Sequence, residues 1–155
     1  MTKSLYSKFI LGYLLFGLLG FITIATFSSQ ATHLYLTEEL STSMYDEANL
    51  LASTYSDIYQ GKNVSLANAK PQLEAVATYL NTKAWVLDNR GTVIAETTPE
   101  THVGKAIAGF DPTITGNKSY VVGTFFNMFQ EETLSVIAPI TGNFKTYGYV
   151  VLHFP

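Results

Sequence analysis

Apolar and polar positions alternate in three different ways along this chain. Residues 9–27 (FILGYLLFGLLGFITIATF) carry no charged side chain and no histidine. As a helix this run would be about 28 Å long, close to the ~30 Å hydrocarbon layer of a bilayer. A lone segment in lipid must satisfy its amides internally, so the run predicts a transmembrane helix. Beyond it, apolar residues recur at Leu36, Leu40, Met44, Ala48, Leu51, Tyr55 and Ile58, the spacing of one helical face. Glu38, Glu39, Asp46, Glu47 and Asp57 lie mostly off that stripe. No Gly or Pro interrupts residues 21–60, and Gly61 supplies a C-terminal stop. A long juxtamembrane helix over 28–61 is therefore expected. Its hydroxyl clusters, Ser28-Ser29 and Ser41-Thr42-Ser43, are the places where it would bend or fray.

The remainder, 62–155, is expected to form one domain. A polar connector over 61–70 leads to Pro71, which suits the first turn of a second helix. Leu73, Val76, Ala77 and Leu80 share one face of that helix, which ends near Asn81. The pattern then changes to that of strands. Residues 84–88 and 92–97 flank Asn89-Arg90-Gly91, a hairpin with a short Gly-containing loop. Residues 99–118 are too long for a turn, and Val103, Ile107, Phe110 and Ile114 give them something to bury, so they read as a structured lid. Strands are expected over 120–129, 133–140 and 147–154, with turns at 130–132 and 142–146. Pro139 lacks a ladder donor and marks a strand end, an edge or a bulge. The order predicts an α+β fold: a five-stranded antiparallel sheet with a long N-terminal helix and a shorter second helix on one face, preceded by one transmembrane helix.

Charge orients the chain. Lys3 and Lys8 precede the apolar run and Glu38 and Glu39 are the first charges after it. The positive-inside bias places residues 1–8 in the cytoplasm and the domain outside the cell membrane. A cleaved signal peptide competes, since Ser29-Gln30-Ala31 is a small-x-small site, but the run exceeds the usual ~7–15-residue signal core, which favours a retained anchor. A net charge of −3 argues against nucleic acid as a partner. The absence of cysteine excludes disulfides and thiolate chemistry. His33, His102 and His153 have no metal-ligand spacing and read as isolated surface residues, so no metal, cofactor or catalytic set is expected. Glu131-Glu132 reads as a solvated turn.

Packing against the domain accounts for Leu50, Leu51, Tyr55 and Ile58. Nearer the membrane, Leu36, Leu40 and Met44 are expected at the seam of a parallel homodimer, because both anchors enter the bilayer the same way. Pairing would rest on the rod, since Gly12, Gly17 and Gly20 lack the spacing of a membrane dimer motif.

Three stretches carry a family resemblance. AWVLDNRGTVIAET resembles the first two strands of an extracytoplasmic, PAS-like sensor domain of the Cache (PDC) type. HVGKAIAGFD resembles the loop after them, and TLSVIAPITGNFKTYGYVVLHFP the last two strands. With the anchor, the chain resembles the N-terminal input region of a bacterial sensor histidine kinase. Cache domains also serve chemoreceptors and cyclic-dinucleotide enzymes. No phosphate-cradling Gly-rich loop and no phosphoacceptor histidine in a suitable helix is seen, so the chain reads as the input part of a longer protein, without a catalytic domain. The resemblance implies a pocket between sheet and lid, near Trp85, His102, Lys105, Lys118, Tyr120 and Phe126. The two lysines would hold a small anionic ligand, and the rings would wall an apolar body. Some domains of this shape bind nothing. A pilin-like subunit is disfavoured because the apolar run contains no acid and Lys8 precedes it. A secreted binding protein would require cleavage of the anchor.

Overall fold

A computed structural model describes residues 2–62 and 66–155, without the side chains of residues 2, 3, 33, 34, 66 and 67. The middle of the expected polar connector and the side chain of His33 thus lie outside the described residues. Helix α1 (Thr2–Tyr59) is unbroken through both hydroxyl clusters where bending or fraying was expected. The chain falls into two compact units, Met1–Glu39 and Leu40–Pro155.

In the first unit the large apolar side chains are exposed, Phe9 at 66% and Phe16 at 79% among them. The helix is long and apolar enough to cross a membrane. Two of its hydroxyls are satisfied within the helix: Thr23 Oγ1 donates to the Leu19 carbonyl and Thr26 Oγ1 to the Ile22 carbonyl, each at 2.8 Å. Internal satisfaction of this kind is what a lipid environment demands.

The second unit is built on a five-stranded antiparallel sheet, β1 (Lys83–Asp88), β2 (Val93–Glu96), β3 (Tyr120–Gly123), β4 (Thr133–Gly142) and β5 (Lys145–Phe154), in the order β2-β1-β5-β4-β3. The C-terminal part of α1 and helix α2 (Leu66–Leu80) cover one face. Met44, Ala48, Leu51 and Tyr55 from α1 and Leu73 and Ala77 from α2 meet Ala84, Val86, Val136, Ala138, Val150 and Leu152 there. Alternate strand residues point the other way, so Trp85, Leu87, Ile137 and Val151 form a second core. Burial on both faces explains why these strands read as near-continuous apolar runs.

Helix ends follow local chemistry. Gly61 (φ 73) and Asn81 (φ 54) are left-handed. In each case the next residue's N–H closes back on the helix, Lys62 on the Asp57 carbonyl and Thr82 on the Ala77 carbonyl. Both are Schellman caps, which satisfy carbonyls the helix leaves open. The β4–β5 turn, Asn143-Phe144, has φ 52 and 61, the mirror-image geometry that matches strand twist. At Pro139 the β3 ladder has already ended at Val136, so the proline occupies an edge position on that side, as expected.

Three expectations are corrected. Pro71 lies inside α2 rather than in its first turn, and the helix tolerates one missing donor there. Leu50 is 55% exposed: one residue from Leu51 is a 100° step around the helix, which turns it off the buried stripe. The strand expected over 120–129 stops at Gly123, because Phe125, Phe126 and Asn127 take φ of 44, 53 and 62. A largely apolar stretch rich in phenylalanine mimics a buried strand by composition, but the rings of Phe125, Phe126 and Phe129 all go to one cluster and the chain has to turn to deliver them.

Candidate functional site

The lid side of the sheet carries an aromatic layer organised around Trp85. Register aligns Lys83, His153 and Ser135 in one row across β1, β5 and β4, and Trp85, Val151 and Ile137 in the next. Trp85 is 1% exposed, with His153 at 4.3 Å between ring centroids, His102 at 4.8 Å, Phe129 at 5.4 Å and Phe125 at 6.0 Å. Phe129 lies nearly parallel to the indole, at 22°, while His153 and Phe125 meet it edge-on. Phe110, from the lid, touches Phe126 and Tyr149 at the outer margin.

His153 is the polar centre of this layer. Its ring is fully enclosed, touching Phe125 and Phe129 as well as Trp85. Nδ1 lies 2.7 Å from Ser135 Oγ. Nε2 is buried with no hydrogen-bond partner among the described residues. Burial holds the imidazole neutral, with its pKa lowered from 6.5 to about 3, and the nearby charges of Lys83 and His102 push the same way.

The lid is fastened by backbone and by one carboxylate. Gly104 N–H donates to the Val93 carbonyl, Val93 N–H to the Lys105 carbonyl and Ile107 N–H to the Gly91 carbonyl. Residues 104–107 thereby pair with residues 91–93 and cover the start of the outer edge of β2, which would otherwise be open to pairing with another chain. Glu96, 2% exposed, accepts the N–H groups of His102 and Val103, and its second oxygen lies 3.0 Å from His102 Nδ1. A buried carboxylate needs such donors, and here it finds them in the lid. Gly91 (φ 87) permits the lid's close approach, since a Cβ there would sit 2.8 Å from Phe110 Cβ.

The segment after β3 is strained. Two consecutive phenylalanines in the left-handed region cost roughly 1–2 kcal/mol each. Hydrogen bonds from Met128 N–H to the Phe125 carbonyl and from Phe129 N–H to the Thr124 carbonyl hold the turn.

Of the six residues expected around a pocket, Trp85 and His102 are in contact, and Phe126 joins the same layer through Phe125 at 5.0 Å. Tyr120 packs against the helix-side core instead, and Lys118 Nζ lies 5.7 Å from its ring centre. Lys105 contributes its backbone to the lid and has an exposed side chain. His153 is not the surface histidine that its isolation in sequence suggested. The signals that could have found it are strand alternation with Tyr149 and Val151 and a register opposite Ser135. Phe125, Phe129, Lys83 and Glu96 were also missed. On the helix side, a half-open groove of about 950 Å³ is lined by Tyr55, Tyr59, Glu74, Ile94 and Val103, among others.

For the expected dimer seam, Leu36 is 56% exposed, Leu40 is half-buried against the helix-side core, and Met44 is completely buried within it. Met44's surface is thus already taken up inside its own chain.

The element order and sheet topology define a PAS-like α+β fold. Among solved structures, the chain is similar to the sensor domain of the histidine kinase DctB from V. cholerae, with a TM-score of 0.53 and 16% sequence identity. The match covers 84% of this chain and 56% of that one, so it spans little more than half the neighbour's length. No family model matches the chain, and no curated protein does.

Proposed function

We propose that this chain is the membrane-anchored, extracytoplasmic input module of a signalling receptor whose output is a histidine kinase. The observation that carries the reading is the likeness of the fold to a histidine-kinase sensor domain, joined to a helix apolar enough to span a bilayer. In this reading the N-terminus is cytoplasmic, because Lys3 and Lys8 precede the span and Glu38 and Glu39 follow it. The domain works as one of a parallel pair, with Leu36 facing the second copy. A small anionic ligand on the lid side shifts the balance between two arrangements of the domain, and the helices carry that difference to the membrane.

Topology tests the core of this reading. Alkaline phosphatase, which is active only outside the cytoplasm, is fused after Pro155 in one strain and before Met1 in another. Activity is expected for the first fusion only; activity from the Met1 fusion, or from neither, removes the basis of the assignment. Pairing is tested separately with single cysteines. Leu36→Cys is expected to cross-link between copies in membranes and Met44→Cys is not, and equal yields at both positions would refute a seam through Leu36.

A further inference from the structure

Phe129 stands in a box that a different molecule would fit better. Its ring lies at 22° to the face of Trp85, with centroids 5.4 Å apart. The edge of His153 meets it at 4.8 Å, and Lys83 Nζ stands 5.9 Å from its centre. Two of these neighbours offer more than a phenyl ring can use. Ser135 Oγ lies 2.7 Å from Nδ1, and in the tautomer in which the hydroxyl donates to Nδ1, His153 Nε2 carries the ring proton; Nε2 is buried and has no partner among the described residues. Among the described residues the Lys83 ammonium meets only a π-face, a weak contact for a charge at the protein surface. Phe129 is only partly buried, is followed by exposed Gln130, Glu131 and Glu132, and closes a turn in which Phe125 and Phe126 are left-handed. Strain of this kind persists only where surrounding contacts impose it, and it lowers the cost of letting the segment go.

We propose that Phe129 is an internal occupant of a binding site for an aromatic monocarboxylate. The ligand's ring replaces that of Phe129 on Trp85, and its carboxylate lies between Lys83 Nζ and His153 Nε2. Two features narrow the class. The Trp85 face selects a flat ring over an aliphatic chain. Among the described residues Lys83 is the lysine that faces the box, while the Glu96 carboxylate sits behind His102 and repels a second acid group; a cationic ligand would meet Lys83 unfavourably. The proposal deepens the ligand reading given above and rests on it, but it replaces Lys105 and Lys118 with Lys83 and His153 as the residues that hold the anion.

Trp85 is the only tryptophan in the chain, so its fluorescence reports on the box directly. The full chain in detergent micelles is titrated with benzoate, with succinate, acetate and benzylamine as comparisons, and thermal midpoints are recorded in parallel. A saturable change in Trp85 emission is expected with benzoate alone. Phe129→Ala removes the competing ring and should tighten benzoate about tenfold or more. Lys83→Met, an exposed position, should weaken benzoate about tenfold. If alanine at 129 unfolds the domain, Phe129→Leu serves in its place. Three results overturn the proposal: no saturable response in a folded Phe129 variant, weaker binding in that variant than in the wild type, or a wild-type response that Lys83→Met leaves unchanged. A midpoint raised by succinate but not by benzoate would keep the ligand reading and remove this inference, whereas failure of the topology test would remove the receptor reading whatever benzoate does.

Discussion

Acid should destabilise this domain through one side chain. His153 is enclosed by three aromatic rings, and its pKa is lowered to about 3 from the ordinary 6.5, by burial first and then by Lys83 and His102. The folded state keeps the imidazole neutral, while the unfolded chain protonates it below pH 6.5. Falling pH therefore favours unfolding. The stabilisation is complete above pH 6.5, is lost progressively as pH falls, and is gone near pH 3. At 1.36 kcal/mol per pH unit, the interval from 6.5 to about 3 amounts to ~5 kcal/mol, of which ~2 kcal/mol is lost by pH 5. Against a typical domain stability of about 5–15 kcal/mol, that is a large fraction. Carboxylates add their own pH dependence, so the measurement has to be a difference. Urea unfolding followed by Trp85 fluorescence, at pH 7 and pH 5, is compared between the wild type and His153→Gln, which retains a hydrogen-bonding group but does not titrate. The wild type should lose about 2 kcal/mol more than the variant over that range. Equal losses would show that His153 does not reach the solvent's protons through unfolding in the way its burial implies.

Other substitutions probe the frame that holds the aromatic layer. A Cβ on Gly148 would lie 2.1 Å from the Leu87 carbonyl oxygen, so Gly148→Ala should cost about 1–3 kcal/mol and lower the thermal midpoint; an unchanged midpoint would refute that close approach. Phe144 is fully exposed at φ 61, so Phe144→Gly should stabilise by roughly 1 kcal/mol in the same assay, and a loss of stability would show that the exposed ring has a partner. Met44→Ala should cost about 2–5 kcal/mol, whereas Leu50→Ala should change stability by less than about 0.5 kcal/mol; comparable effects in urea unfolding would contradict the face assigned to α1.

Periodicity alone determined much of this protein. A helix satisfies its own backbone, so the apolar run over 9–27, the stripe from Leu40 to Ile58 and the stop at Gly61 follow from local rules. The hairpin at Asn89-Arg90-Gly91 and the turn at Asn143-Phe144 were legible for the same reason: left-handed backbone and short loops are local properties. Those elements in that order already implied an antiparallel sheet with helices on one face. What no local pattern contained was the pairing of distant rows. Lys83, His153 and Ser135 are neighbours only because β5 runs between β1 and β4, and His102 meets Trp85 only because Glu96 draws in the lid. The same topology moved Tyr120 and Lys118 away from the aromatic layer, since β3 presents Tyr120 to the helices. Three left-handed residues decided that Phe125 and Phe129 close over Trp85 rather than continue a strand, and that conformation is imposed by the contacts it makes. Helical spacing and turn chemistry act over a few residues, whereas the candidate site is held together by strand register, lid contacts and burial, which exist only once the sheet has formed.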